Sequence, residues 1–163
     1  MGNKFYTGVG SRRTPADILA MMRKIAKKLA ENGYTLRSGG AKGADSAFES
    51  GASGSCEIYY ASDANQAAMD IAAQFHPAWN RCSEYARKLH GRNAFQVLGR
   101  NLNSPSKFLI CWTPDGCQSH HSRTIRTGGT GTAISIASAY QIEIFNLRNQ
   151  VSYRRLAAWL KLK

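Results

Sequence analysis

The chain has 163 residues, four cysteines and a formal net charge of +12. That length builds an ordinary core without staples, which excludes a disulfide-held miniprotein, and no apolar run approaches the roughly 20 residues that cross a bilayer. The charge is uneven: through Glu84 ten Lys and Arg face eight Asp and Glu, whereas beyond it twelve face two, Asp115 and Glu143, a bias that favours polyanionic partners.

The first residues lack the basic and apolar blocks of a signal peptide. Met1-Gly2 suits a myristoylation start, but Tyr6 stands where Ser or Thr is required. Cys56, Cys82, Cys111 and Cys117 form no CxxC pair, which reads as reduced thiols in a cytoplasmic protein.

Residues 4–9, KFYTGV, read as a strand that runs into Gly8-Val9-Gly10-Ser11-Arg12-Arg13. Strand, glycine turn and helix in that order are the grammar of a phosphate-binding βα unit. The helix start is marked by Thr14 as cap, Pro15 at the first helical position and Asp17 as a capping-box acid. Ile18, Leu19, Met22, Ile25, Ala26 and Leu29 form its apolar stripe, Arg23, Lys24, Lys27 and Lys28 its solvated faces, and Asn32-Gly33 its stop.

Residues 34–37 are a second strand, which meets Ser38-Gly39-Gly40-Ala41-Lys42-Gly43-Ala44-Asp45. Residues 44–50 then read as a helix, 51–55 as a turn, 57–61 as a strand and 65–75 as a helix. Two short helices are expected at 83–90 and 93–101, broken at Gly91. Five cations and no acid between Arg87 and Lys107, interleaved with Phe95, suggest a face for a polyanion. Residues 107–112, KFLICW, are a buried strand and 113–127 a polar loop. Residues 142–147 are the last strand, and 151–162 a helix with Leu156, Trp159 and Leu160 inward and Arg154, Arg155, Lys161 and Lys163 outward.

The stretch RTGGTGTAISIASA, residues 126–139, dominates the pattern. Gly128, Gly129 and Gly131 let the backbone come close to a ligand, and a helix beginning near Thr130 aims unpaired N–H groups at the same point. Thr127, Thr130 and Thr132 add hydroxyls, and Arg123 and Arg126 add charge, so the fitting guest is a phosphate group. Alternating strands and helices predict an α/β fold, a mostly parallel sheet with helices on both faces. The loops after Val9, Arg37 and Trp112 and the 127–131 loop then converge beyond the strands' carboxyl ends.

Other clusters carry less. Cys117, His120 and His121, with His76 or His90, match no closed zinc spacing, so no metal site and no cofactor are expected. Trp79, Tyr85 and Trp159 read as core aromatics, whereas Trp112, at a strand's carboxyl end, is expected to face the ligand. Ser11 has no partnered His or Asp and is no nucleophile.

These motifs resemble the SLOG superfamily, which groups the DNA-processing protein A (DprA) family with the "lonely guy" (LOG) phosphoribohydrolases and nucleotide-sensing domains. Gly8-Val9-Gly10-Ser11-Arg12 is similar to the first loop of the family, SGGAKGAD from Ser38 to Asp45 to the second DprA-type loop, Arg92-Asn93 to an Arg-Asn pair of DprA, and TGGTGT from Thr127 to Thr132 to the LOG glycine signature. The resemblance spans about nine-tenths of the chain and implies one Rossmann-like domain over residues 1–163 with a nucleotide or nucleic-acid site on these loops.

LOG enzymes follow their signature with adjacent glutamates, the second of them catalytic; here Ile134 and Ser135 stand in those places. Asp45 or Glu49 could substitute, although the DprA pattern also has an aspartate at the position of Asp45. The expected activity is non-catalytic binding of a phosphorylated nucleotide, of ADP-ribose or nucleotide-signal type, by a sensor, carrier or sequestering protein that is a homo-oligomer. The alternatives are single-stranded DNA binding, as in DprA, and nucleotide N-glycosidase activity.

Overall fold

Strands and helices alternate along the chain as the apolar periodicities predict: β1 (Phe5–Gly8), α1 (Ala16–Glu31), β2 (Thr35–Ser38), α2 (Ala44–Ala52), β3 (Cys56–Ile58), α3 (Gln66–Ala73), α4 (Glu84–Leu98), β4 (Phe108–Cys111), α5 (Thr130–Ala139), β5 (Glu143–Asn146) and α6 (Gln150–Leu160). The structure, a computed structural model, describes residues 4–162; Met1-Gly2 and Lys163, which figure in the expectations above, lie outside the described residues. The five strands pair in the order β3-β2-β1-β4-β5, every pair parallel. Successive connections from β1 run toward β3, and the chain then crosses to the other side of β1 to add β4 and β5. The β1/β4 junction is therefore the point where loops diverge and leave a crevice beyond the carboxyl ends.

Helices cover both faces. Met22, Ile25, Ala26 and Leu29 of α1 pack with Ala44, Ala47 and Phe48 of α2 and Leu156 and Leu160 of α6 in one cluster. Ala94, Phe95, Val97 and Leu98 of α4 pack with Ala68 of α3 and Ala133, Ile134, Ile136 and Ala137 of α5 in the other. Each large apolar side chain buried this way contributes about 2 kcal/mol. All four residues of β4 are buried, as a strand covered on both sides requires. No helix among the described residues is long and apolar enough to cross a membrane, and all four cysteines are free thiols.

Several local expectations are corrected. The helices foreseen at 83–90 and 93–101 are one, α4, capped by Ser83, whose Oγ accepts the Ala86 N–H (3.1 Å). Gly91 does not break it: a Cβ there would sit 2.9 Å from Met69 Cγ, so the glycine lets α4 lie against α3. Gly51 is likewise inside α2 rather than in a turn, and its missing side chain admits the Arg23 carbonyl of α1. Thr14 does not cap α1; Pro15 holds the cap position, and Thr14 Oγ1 donates to the Ser11 carbonyl (2.5 Å). Trp159 is 51% exposed and leans edge-on against Phe108 and Tyr34. Phe95 is buried against Tyr59 and belongs to no polyanion face. The cations around it go to separate partners: Arg87 to the Trp79 carbonyl, Lys88 to Glu84, Arg100 to the Tyr59 ring.

Candidate functional site

A cleft of about 1310 Å³ opens where β1, β2 and β4 end. Its first wall is the loop after β1. Ser11 N–H donates to the Trp112 carbonyl (3.1 Å), Ser11 Oγ accepts the Arg13 N–H (3.0 Å), and this turn leaves Arg12 and Arg13 exposed at the rim.

The loop after β2 forms the floor. Glu49 of α2 accepts from Ser38 Oγ (2.5 Å) and the Gly40 N–H (2.9 Å), and Asp45 accepts the Ala41 N–H (3.2 Å). Burial pushes the Asp45 carboxyl up to about 6, against the Ala41 N–H and Arg92, which pull it down. Among the described residues Asp45 is the one carboxylate in the lining; Glu49 lies behind it and serves the loop.

The third wall is the 127–131 loop. Asp115 ties it down by accepting from Thr124 Oγ1 (2.7 Å) and Thr127 Oγ1 (2.5 Å). Burial alone would raise the Asp115 carboxyl, but the hydroxyls of Thr127, Thr124 and Thr113 hold it down to about 2. The Thr127 hydroxyl is therefore committed within the protein and is no free donor. Gly131 N–H donates to the Gly128 carbonyl (3.0 Å), while the N–H groups of Gly129 and Thr130 have no acceptor among the described residues. They open α5, where the helix leaves its first donors unpaired.

One helix staples these walls. Arg92 of α4 donates to the Gly39 carbonyl (2.9 Å) and its neighbour Asn93 reaches the Gly129 carbonyl (3.4 Å), so successive residues hold the second and third loops. Gln96, one turn on, is 1% exposed and lines the cleft with Oε1 unpaired. His90 also faces the cleft, its Nδ1 3.0 Å from Thr132 Oγ1. Burial and then the charges of His76, Arg123 and Arg92 lower it to about 4, so it is neutral at pH 7.

Of the residues singled out from the sequence, the cleft brings together Gly10, Ser11, Arg12, Gly39, Gly40, Lys42, Asp45, Arg92, Asn93, Arg126, Thr127, Gly128, Gly129 and Thr130. Gly8, Ser38, Trp112, Gly131 and Thr132 lie outside the lining. Trp112 sits in the core beside Ile110, and only its carbonyl serves the site. Gly8 and Gly131 give room to neighbours, to Leu36 and Phe48 in one case and to the Arg123 side chain in the other. Arg123 does not reach the mouth: it donates to the Phe75 carbonyl (2.8 Å) and Ser135 Oγ (3.1 Å) behind α5. His120 bonds the same Ser135 (2.7 Å) and Cys117 Sγ donates to the Ser119 carbonyl (3.1 Å), so among the described residues the loop histidines and Cys117 form no metal cluster.

The lining also contains residues that the sequence motifs do not mark, among them Tyr60, Tyr85, Leu89, His90, Gln96 and Ile125. A signal existed for some: Ala86, Leu89, His90, Asn93 and Gln96 recur at three- and four-residue spacing, the mark of one helical face.

Comparison with curated proteins and with solved structures gave no match. Residues 2–73 match the model of the family described as DNA recombination-mediator protein A, a span that runs from before β1 to the end of α3 and contains the first two glycine loops. Over that part, with its two glycine loops on parallel strands of a Rossmann-like sheet, the chain is DprA-like.

Proposed function

We propose that the cleft binds a phosphorylated nucleotide and holds it without chemical change. The family match points to a DNA-processing or nucleotide-binding role, and the observation that carries the finer reading is Gly129. Its φ of −62° suits any residue, and nothing lies within 4 Å of where its side chain would be. Neither backbone nor packing asks for glycine there; a guest resting against the backbone does. The neighbouring unpaired N–H groups and five lining cations, Arg12, Arg13, Lys42, Arg92 and Arg126, against the acid Asp45, suit an anion. The position that is catalytic in LOG enzymes holds Ser135, fully buried outside the lining, which favours retention over hydrolysis.

A second reading, single-stranded DNA, is favoured by one feature: Tyr60 and Tyr85 stand 52% and 66% exposed at the mouth, where their rings can stack on bases, with the exposed Ile125 as an apolar neighbour. Calorimetry with ADP-ribose and nucleoside phosphates, and anisotropy with a labelled oligonucleotide, at low and high salt separate the two. A pocketed nucleotide keeps most of its affinity as salt rises, whereas a strand on several phosphates loses it steeply. Chromatography of the same mixtures tests retention; steady base release abolished by Asp45→Asn would replace this reading with an N-glycosidase.

A further inference from the structure

We propose that His76, Cys82 and His90 form a binding site for a zinc-like divalent cation on the flank of the cleft. The three come from separate places: His76 follows α3, Cys82 follows the short turn Trp79–Arg81, and His90 lies in the middle of α4. The fold brings one nitrogen or sulfur from each to within 4.8 Å of the others, all half-buried. Cys82 Sγ is 3.7 Å from His76 Nε2, and the His76 and His90 rings stand edge to face with centroids 4.4 Å apart.

Bond lengths of about 2.0–2.3 Å in a tetrahedral zinc site put ligand atoms roughly 3.3–3.8 Å apart. The Cys82–His76 pair already has that spacing, and the widest separation need close by only about 1 Å. The Nδ1 of His90 lies 3.0 Å from Thr132 Oγ1; in the tautomer that donates there, Nε2 is free to ligate and has the outer hydrogen bond that ligating histidines use. His76 carries a cost. Its Nδ1 accepts the Ala78 N–H (3.0 Å), and coordination gives up that bond by either route: through Nδ1 the lone pair goes to the metal, and through Nε2 the ring proton moves to Nδ1. A second cost is Arg123, whose charge reaches both rings. Cys82 offsets it, because binding displaces the thiol proton to solvent and the thiolate cancels one of the ion's two charges. Two imidazoles and a thiolate select zinc or cobalt(II) over magnesium or calcium. Three protein ligands leave a fourth position for water or for an oxygen of the guest, and His90 is itself part of the cleft lining.

This set shares only its two histidines with the grouping considered from sequence, and Cys82 replaces Cys117. The test uses metal alone, with no nucleotide, so it stands apart from the reading of the cleft. Cobalt(II) titrated into the dialysed protein should give a thiolate-to-cobalt absorption band that saturates at one ion per chain and is bleached by zinc. Cys82→Ser should lose the band and weaken zinc binding by at least about a hundred-fold. Cys56→Ser, which alters the half-buried thiol of β3, should keep both, with circular dichroism checking the fold of each. His76→Gln gives the same comparison should Cys82→Ser fail to fold. Absence of the band in the unaltered protein, or its survival in Cys82→Ser or His76→Gln, overturns the site.

Discussion

The second glycine loop, residues 38–43, and the third, residues 127–131, are alike in composition and differ in what their glycines do. Gly40 has φ +69°, and a side chain there would strike the Tyr60 ring at 2.8 Å; Gly39 is enclosed by Asp45, Arg92 and Gln96. Gly10, in the first loop, would meet Ala44 Cβ at 2.6 Å. These glycines are demanded by the fold itself. In the third loop Gly128 has φ +68° and open space, and Gly129 has open space with an ordinary backbone. Gly43 also has open space, at φ +91°, and Gly131 makes room for Arg123, so the contrast rests on Gly10, Gly39 and Gly40, which packing demands, against Gly129, which neither packing nor backbone demands. Composition alone makes all three look like phosphate cradles; only the space around each Cβ position separates the scaffold from the contact surface.

The largest expected effect tests that contrast. Gly129→Val should leave the melting temperature within a degree or two and weaken nucleotide binding by about a hundred-fold or more, because a branched side chain fills the place of the phosphate. Gly10→Ala should do the reverse in kind, costing about 1–3 kcal/mol of stability, because Ala44 cannot withdraw without moving α2. Calorimetry and thermal melts on both variants decide. A Gly129→Val protein that binds normally, or a Gly10→Ala protein as stable as the parent, would erase the distinction between the loops.

The contrast also shows how far the sequence can be read. The parallel order, both helical layers and the meeting of three loops follow from alternating periodicities and from glycines placed at strand ends. Most of the failures share one cause, contacts between distant residues. Gly91 has poor helix propensity and reads as a break, but propensity yields to the approach of Met69. Arg123 stands near the glycine loop in sequence and folds behind α5 in space. Trp112 is a different failure: β4 is buried on both faces, so its two-residue repeat marks no outer side, and Trp112, just past the strand's end, packs into the cluster that holds Ile110. Cys82 carried no signal, since its partners lie six and eight residues away on separate elements.

A smaller effect sharpens the floor of the cleft. The Asp45 carboxyl lies near 6 in the folded protein against 3.8 ordinarily, chiefly because it is buried. Below pH 3.8 it is protonated in both states and contributes nothing. Between 3.8 and 6 the unfolded chain ionises first, so stability falls as pH rises, by about 3 kcal/mol in total. Asp45→Asn, which keeps an acceptor for the Ala41 N–H, should therefore melt higher than the parent at pH 7.5 and level with it at pH 3.5. Removing the negative charge should also tighten a phosphate guest at pH 7.5. If affinity falls instead, the carboxylate grips the guest directly, for instance through a ribose hydroxyl, and the floor joins the contact surface.

The smallest functional effect is expected at Ser135, where a glutamate would restore the residue that LOG enzymes use. A free-standing graft of that kind would be expected to give weak hydrolysis only if the position opened onto the guest. Here it does not. Ser135 is fully buried, accepts from Arg123 Nη1 at 3.1 Å and lies 2.7 Å from His120 Nδ1, on the side of α5 away from the lining. A glutamate introduced by Ser135→Glu would meet the Arg123 guanidinium first, and that pairing would offset much of the cost of burying its charge while the extra volume strains the packing by about 1–3 kcal/mol. Nucleotide affinity should stay within a few-fold of the parent, since no cleft residue is touched, and no free base should accumulate over hours with nucleoside monophosphates. Base release by Ser135→Glu that is absent from the parent would mean that α5 turns this position toward the cleft when a guest is bound, and that the third loop is as mobile as the second is fixed.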